Sequence, residues 1–174
     1  MNPGLSILDY CAEENDGFRK ASIENLSQSN CDCEFPFFPL NPSFAWSGGF
    51  IWWEARLRPI LQQLREIRGG SYYDALAFMS KQIAMVELVP YHSGAGLLAK
   101  GNPCKNLPSA IAARQFVQRL CQSPERPLVV LARSHEHWNI SGNNADSNVF
   151  PCPRARGVTF SGETGQRIMR QLGY

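Results

Sequence analysis

Four short segments of the sequence bring together side chains that can bind or polarise a ligand. They are Asn2-Pro3-Gly4, Pro90-Tyr91-His92-Ser93, Arg133-Ser134 and Ser161-Gly162. The last three follow predicted strands, and in open α/β sheets ligands bind outside the carboxyl ends of the strands. There the imidazole of His92 can exchange a proton near neutral pH, and the guanidinium of Arg133 suits a phosphate or a carboxylate. We therefore expect one site built from several loops.

Each of these segments also has a purely structural interpretation. Asn2-Pro3-Gly4 is a common turn, with Gly4 at positive φ. A single histidine such as His92 is more often structural than catalytic. His135-Glu136-His137 offers two imidazoles that could share a metal, although surface histidines without a ligand are the favoured interpretation.

The elements that must position these segments alternate between helices and strands. Helices are predicted over residues 12–28, 50–68, 72–80, 109–121 and 162–172, and strands over residues 83–89, 128–132 and 158–160. Residues 134–156 lack a periodic pattern and are predicted to form a long loop. This order predicts a parallel sheet with right-handed crossovers and helices on both faces.

Apolar residues at helical spacing give the predicted inward faces of three of the helices. The first helix is expected to turn Phe18, Ile23 and Leu26 one way. For the second and fourth helices the predicted buried residues are Trp53, Leu57, Ile60, Leu61, Leu64 and Ile67, and then Ile111, Phe116, Val117 and Leu120.

An apolar segment rich in proline lies between the first two helices. Residues 35–42 read Phe-Pro-Phe-Phe-Pro-Leu-Asn-Pro, and Phe44 follows. The prolines exclude a helix or a central strand, because proline fixes φ and lacks an amide donor. The aromatic rings must therefore pack on the core, which is the favoured interpretation, or line a ligand pocket.

Composition indicates one globular domain over residues 1–174. Hydrophobic residues make up 44% of the chain and charged residues 18%, which excludes a disordered chain. Only four of the 17 basic residues are lysines, so arginine carries the positive charge, which is compatible with nucleic acid. The sequence shows neither a signal peptide nor a membrane span. The six cysteines are therefore expected to be reduced thiols of a cytoplasmic protein. No cofactor or metal is expected.

The order of these motifs resembles the uracil-DNA glycosylase superfamily. It begins with Asn2-Pro3-Gly4 and the Pro-aromatic segment, continues with Pro90-Tyr91-His92-Ser93 and Leu128 to Arg133, and ends with Phe160-Ser161-Gly162 opening the last helix. Bacterial and phage proteins similar to that superfamily share the Pro-aromatic segment, the Trp-Trp pair and Pro-Tyr-His-Ser. The resemblance implies a three-layer α/β sandwich with a central, mainly parallel sheet. The first strand of that sheet is expected to be missing, because the chain begins at Met1.

The resemblance also implies roles for individual residues. Asn2 would orient the water that attacks the sugar, with His92 as a second catalytic group. A flipped base would enter between the Pro-aromatic segment and His92, and Ser161 would hold a phosphate. The implied substrate-binding residues are Gly4, Phe37, Phe38, Tyr91, Ser93, Arg133 and Ser161.

The last motif departs from the family pattern. Phe160 stands where the family keeps His or Asn as a donor to the base, and Glu163 adds a negative charge nearby. We therefore expect a protein that binds nucleic acid or a nucleobase through a divergent glycosylase-type site with weak activity or none. The alternative is an active DNA N-glycosylase, a hydrolase of DNA repair, which the intact Asn2-Pro3-Gly4 motif favours.

Overall fold

The chain divides into two compact units, a first unit formed by Asn2–Ala84 and a second unit that contains Met85–Tyr174. The computed structural model describes residues 10–88, 106–131, 137–140, 148–151 and 160–174. The described residues are mostly helical and include one small parallel sheet, so the chain is of mixed α/β class. A single domain over residues 1–174 stays a prediction.

The described part of the first unit includes three helices and three 3-10 turns. The helices are α1 (Asp16–Ser27), α2 (Gly48–Arg68) and α3 (Tyr72–Ser80), and the turns are Glu13–Asn15, Phe38–Leu40 and Pro42–Phe44. The buried Ser47 starts α2, because its hydroxyl accepts a hydrogen bond of 3.1 Å from the Phe50 amide. Ser71 and Asp74 form a reciprocal capping box at the start of α3. All three helices were predicted from the sequence, and the bounds of α3 agree with the prediction.

The core of the first unit lies between α2, α3 and the Phe38–Leu40 turn. The inward face of α2 buries Trp53, Leu57, Ile60, Leu61 and Leu64, as predicted, and the facing residues include Leu40, Leu76 and Met79. Burying one such leucine stabilises the fold by about 1.5–3 kcal/mol. Ile67 is exposed instead, because it lies in the last turn of α2, so its predicted burial is wrong.

The predicted inward face of α1 is also wrong in part. Phe18 is buried among the rings of Phe38, Phe44 and Trp46, with centroid distances of 5.3–5.5 Å. Ile23 and Leu26 are exposed, Leu26 to 83%. Phe18, near the start of α1, therefore anchors the helix, and the rest of the predicted apolar face is exposed to solvent.

The described part of the second unit has two helices and two strands. They are α4 (Pro108–Gln122), β1 (Val129–Leu131), β2 (Val149–Pro151) and α5 (Gly162–Gln171). β1 and β2 are parallel, with Val129 opposite Val149 and Leu131 opposite Pro151. Asn148 fixes this register, since its carbonyl accepts from the Val129 amide at 2.7 Å and its side-chain amide donates to the Pro127 carbonyl at 3.1 Å.

One apolar cluster holds the second unit together. Its buried members are Leu88, Ala110, Val117, Leu131, Trp138 and Val149. The inward face of α4 is therefore the one that carries Ala110 and Val117. Ile111 and Phe116 are 42% and 44% exposed, so their predicted burial is wrong, because they lie on either side of that face.

Three predicted strands have different outcomes. The strand over residues 128–132 is confirmed as β1, although Ala132 lies outside the described residues. The strand over residues 83–89 is wrong for residues 83–88, which are irregular; Leu88 is buried in the apolar cluster, whereas Ala84 and Met85 are exposed. Of the strand over residues 158–160 only Phe160 is described, and it is not in a strand.

β2 corrects the prediction of an unstructured loop over residues 134–156. Three residues are too few to show a periodic pattern, and Pro151 argues against a strand except at an edge or an end. Among the described residues, parallel pairing is therefore present in a two-stranded sheet, with β2 as the partner of β1; the central sheet of a three-layer sandwich stays a prediction.

Candidate functional site

The first candidate position is the start of α5, where Ser161 precedes the helix. Ser161 is exposed and extended, with φ −114° and ψ 175°, and its carbonyl accepts the Gly165 amide at 3.5 Å. Gly162 follows at φ +59°, a conformation that favours glycine. A Cβ on Gly165 would lie 2.8 Å from the Phe160 carbonyl oxygen. The two glycines therefore let the backbone fold tightly around Ser161, which lies at the positive end of a helix.

Phe160 lies directly before this position and is only 4% exposed. Its side chain has no hydrogen-bonding group, and its burial makes it part of the core. Phe160 is therefore a packing residue.

Glu163 and Arg167 form an ion pair on the first turns of α5. The carboxylate Oε1 lies 3.2 Å from the guanidinium of Arg167, whose Cζ stands 4.6 Å from the centroid of the Phe150 ring. The pair and the cation–π contact link α5 to β2. Part of the negative charge that Glu163 brings to the start of α5 is thereby compensated within the same helix.

In the first unit, Phe37 and Phe38 lie together in the Pro-aromatic segment. The Phe37 ring is 7% exposed and meets Trp53 edge-to-face at 5.1 Å. Its amide donates to Oγ of the buried Ser80 at 2.9 Å, and that hydroxyl donates back to the Phe37 carbonyl at 3.2 Å. These contacts support the packing interpretation for Phe37. Phe38 is half-buried and meets Phe18 edge-to-face at 5.4 Å.

The other predicted site residues lie outside the described residues. They are Asn2, Gly4, Tyr91, His92, Ser93 and Arg133. Of the three that are described, Phe37 and Phe38 belong to the first unit and Ser161 to the second. A single site that unites all of them stays a prediction.

Sequence reasoning missed a polar cluster on α2 and α3. Arg58 donates to both carboxylate oxygens of Glu54, at 2.9 and 2.6 Å, and the Tyr72 hydroxyl donates to Oε1 at 2.7 Å. The bond from Arg58 holds the pKa of the Glu54 carboxyl below its ordinary value of 4.5, against the opposing effect of burial. Burial and the bond to Glu54 raise the pKa of Tyr72 above its ordinary value. The spacing of Glu54 and Arg58 by four residues was the signal in the sequence.

Among the described residues, no three His, Cys, Asp or Glu side chains cluster to hold a metal ion. Cys11, Cys31, Cys33 and Cys121 are free thiols. His137 lies in a short turn, and its carbonyl accepts from Arg114 at 3.4 Å. His135 lies outside the described residues.

Charge is distributed unequally between the two units. Residues 85–174 contain ten Lys and Arg against five Asp and Glu, whereas residues 1–84 contain seven against ten. The small net charge of the whole chain conceals this division. A basic unit attracts polyanions, and an asymmetry of this kind between halves of a chain points to nucleic acid or a membrane surface.

None of the helices in the described ranges is long and apolar enough to cross a membrane. Comparisons of the chain with protein-family models, with curated proteins and with solved structures found no match.

Proposed function

We propose that the chain binds nucleic acid or a nucleobase, through a divergent glycosylase-type site in its basic unit. The observation that carries this proposal is the charge division, because residues 85–174 hold a twofold excess of basic over acidic side chains. Neutralising phosphates and releasing their counterions supplies most of the affinity of a protein for nucleic acid. Arginine, which predominates here, suits bidentate contacts to phosphate.

The start of α5 supports a phosphate contact within this unit. Ser161 is exposed, and the first amides of a helix are donors that lack helical acceptors. Hydroxyls and helix N-termini are common phosphate contacts in nucleic-acid complexes. The resemblance to the uracil-DNA glycosylase superfamily assigns the same role to Ser161.

The composition of this site favours binding over catalysis. Glycosidic cleavage leaves negative charge on the departing base, and a positioned donor is needed to stabilise it. Phe160 offers no donor and is buried. We therefore propose recognition without hydrolysis, by a cytoplasmic protein whose full fold is a three-layer sandwich around a central, mainly parallel sheet.

The second candidate function is that of an active DNA N-glycosylase, which hydrolyses the bond between a damaged or mismatched base and its sugar. The retained Asn2-Pro3-Gly4 motif favours it. In that mechanism the Asn2 carboxamide would orient the attacking water, and His92 would serve as the missing donor.

A panel of oligonucleotides separates the two candidates. Single strands and duplexes that contain uracil, mismatched thymine or deaminated purines would be incubated with the chain and scored for binding and for abasic sites. The proposal expects binding with no abasic sites. Robust base release that is lost in Asn2→Ala would establish the second candidate instead.

A further inference from the structure

The outward face of α4 combines a basic and an aromatic side chain. Residues 112, 115, 116 and 119 follow a spacing of three and four, and all four are exposed: Ala112, Gln115, Phe116 and Arg119. Residues at this spacing share one face of a helix. The opposite face packs into the apolar cluster through Ala110 and Val117.

One side of α4, next to its outward face, contacts the short segment 137–140. Arg114 donates to the His137 carbonyl at 3.4 Å, and Gln118 donates to the Asn139 carbonyl at 3.5 Å. These two side chains hold the short segment 137–140 against the helix. The Phe116 face is turned away from both the core and that segment, which leaves it accessible.

The positive charge of α4 favours an anionic partner. The helix contains Arg114 and Arg119 and no acidic residue, and it belongs to the basic unit. The exposed ring of Phe116 lies one helical turn from the guanidinium of Arg119. Proteins bind single-stranded nucleic acid with these two kinds of group. The ring stacks on an unpaired base, while the cation contacts the backbone.

We infer that the outward face of α4 is a contact surface for single-stranded nucleic acid, with Phe116 stacking on a base and Arg119 contacting a phosphate. This inference rests on the proposed function and places part of it on a surface distinct from the start of α5. Because duplexes keep their bases stacked inside, the face should prefer a single strand to a duplex of the same length.

The test is fluorescence anisotropy of a labelled oligothymidylate and of a matched duplex, titrated with the full chain at several salt concentrations. Phe116→Ala should weaken binding of the single strand roughly 5- to 150-fold, the range of one lost base stack. Arg119→Gln should reduce the slope of log affinity against log salt by about 0.7. Circular dichroism melts of each variant would show that the fold is kept.

Two control variants match these substitutions. Ile111→Ala removes an equally exposed apolar side chain that lies on the opposite side of the inward face from Phe116, and Arg65→Gln removes an exposed arginine from the other unit. Both should bind like the parent.

The outcomes also separate the inference from the proposed function. If the parent binds and Phe116→Ala and Arg119→Gln bind equally well, the contact surface lies elsewhere and the proposed function stands. If Phe116→Ala weakens binding no more than Ile111→Ala does, the stacking role is overturned. If the parent binds neither oligonucleotide, the inference and the proposed function both fail.

Discussion

The hydroxyl of Tyr72 donates a 2.7 Å hydrogen bond to Oε1 of Glu54, so the first residue of α3 is tied to the first half of α2. Arg58 binds the same carboxylate with two further bonds. The carboxylate is mostly buried and its partners compensate the loss of water. This cluster links two helices that also meet through apolar contacts and through the Arg68 guanidinium, whose Cζ lies 4.0 Å from the centroid of the Phe78 ring.

The first prediction concerns acid stability. The pKa of Glu54 is lower in the folded state than its ordinary value of 4.5, so its stabilisation is present above pH 4.5 and is lost as the pH falls through the folded value. Urea denaturation over this pH range should show a smaller loss of unfolding free energy in Glu54→Gln than in the parent. Part of the loss will remain, because the pKa of Asp74 is also lowered by its bonds to Ser71. Superimposable pH profiles would contradict the role given to Glu54.

The second prediction tests the Tyr72 hydroxyl. Tyr72→Phe should lower the unfolding free energy by about 1–2 kcal/mol, because the bond to a charged acceptor is lost. Tyr73→Phe is the matched control: its hydroxyl bonds the exposed Glu34 at 2.8 Å, and its removal should change stability by less than about 0.5 kcal/mol. Equal effects of the two substitutions in urea denaturation would mean that the Tyr72 bond is no more than a surface contact.

The third prediction concerns the core of the first unit. Leu61 is fully buried in α2, and Leu61→Ala should lower the unfolding free energy by about 2–5 kcal/mol. Ile51→Ala, on the exposed side of the same helix, should change it by about 0.5 kcal/mol or less. A denaturation midpoint of Leu61→Ala that equals that of the parent would reject this packing.

The fourth prediction concerns the anchoring of the Pro-aromatic segment. Ser80→Ala leaves the buried Phe37 amide without its 2.9 Å acceptor and should cost about 1–3 kcal/mol. The exposed Ser43 gives a control, and Ser43→Ala should have little effect. If thermal melts of the two variants coincide, the segment is held by ring packing alone.

The sequence predicted the helices better than the strands. Helices such as α2 show many apolar residues at one period, and caps such as Ser71 with Asp74 mark their starts. β2 has only three residues, and its pairing depends on a side chain, Asn148, that no periodic pattern reveals. The run ending at Leu88 shows the converse error, because a short apolar stretch can resemble a strand in composition without pairing into a sheet.

The candidate site was predictable only in part. Ser161 was placed correctly before a helix, since serine is a common residue at helix starts. For Phe37 the sequence allowed either packing on the core or contact with a ligand. The hydrogen bond between its amide and Ser80 could not be predicted from local spacing, because the two residues are 43 positions apart in the sequence. The exposure of Phe116 was missed because the more strongly apolar residues of α4 were assigned to its inward face, whereas the small Ala110 is buried there.

The most direct measurement of the central claim is the equilibrium binding of the full chain to single-stranded and duplex DNA across a range of salt concentrations. The account predicts binding whose log affinity falls linearly with log salt, as phosphate contacts require, and no release of bases. Ser161→Ala should weaken this binding, and more strongly at low salt, while Asn2→Ala should leave it nearly unchanged. Absence of binding to both forms of DNA at low salt, or an affinity that does not change with salt, would contradict the account.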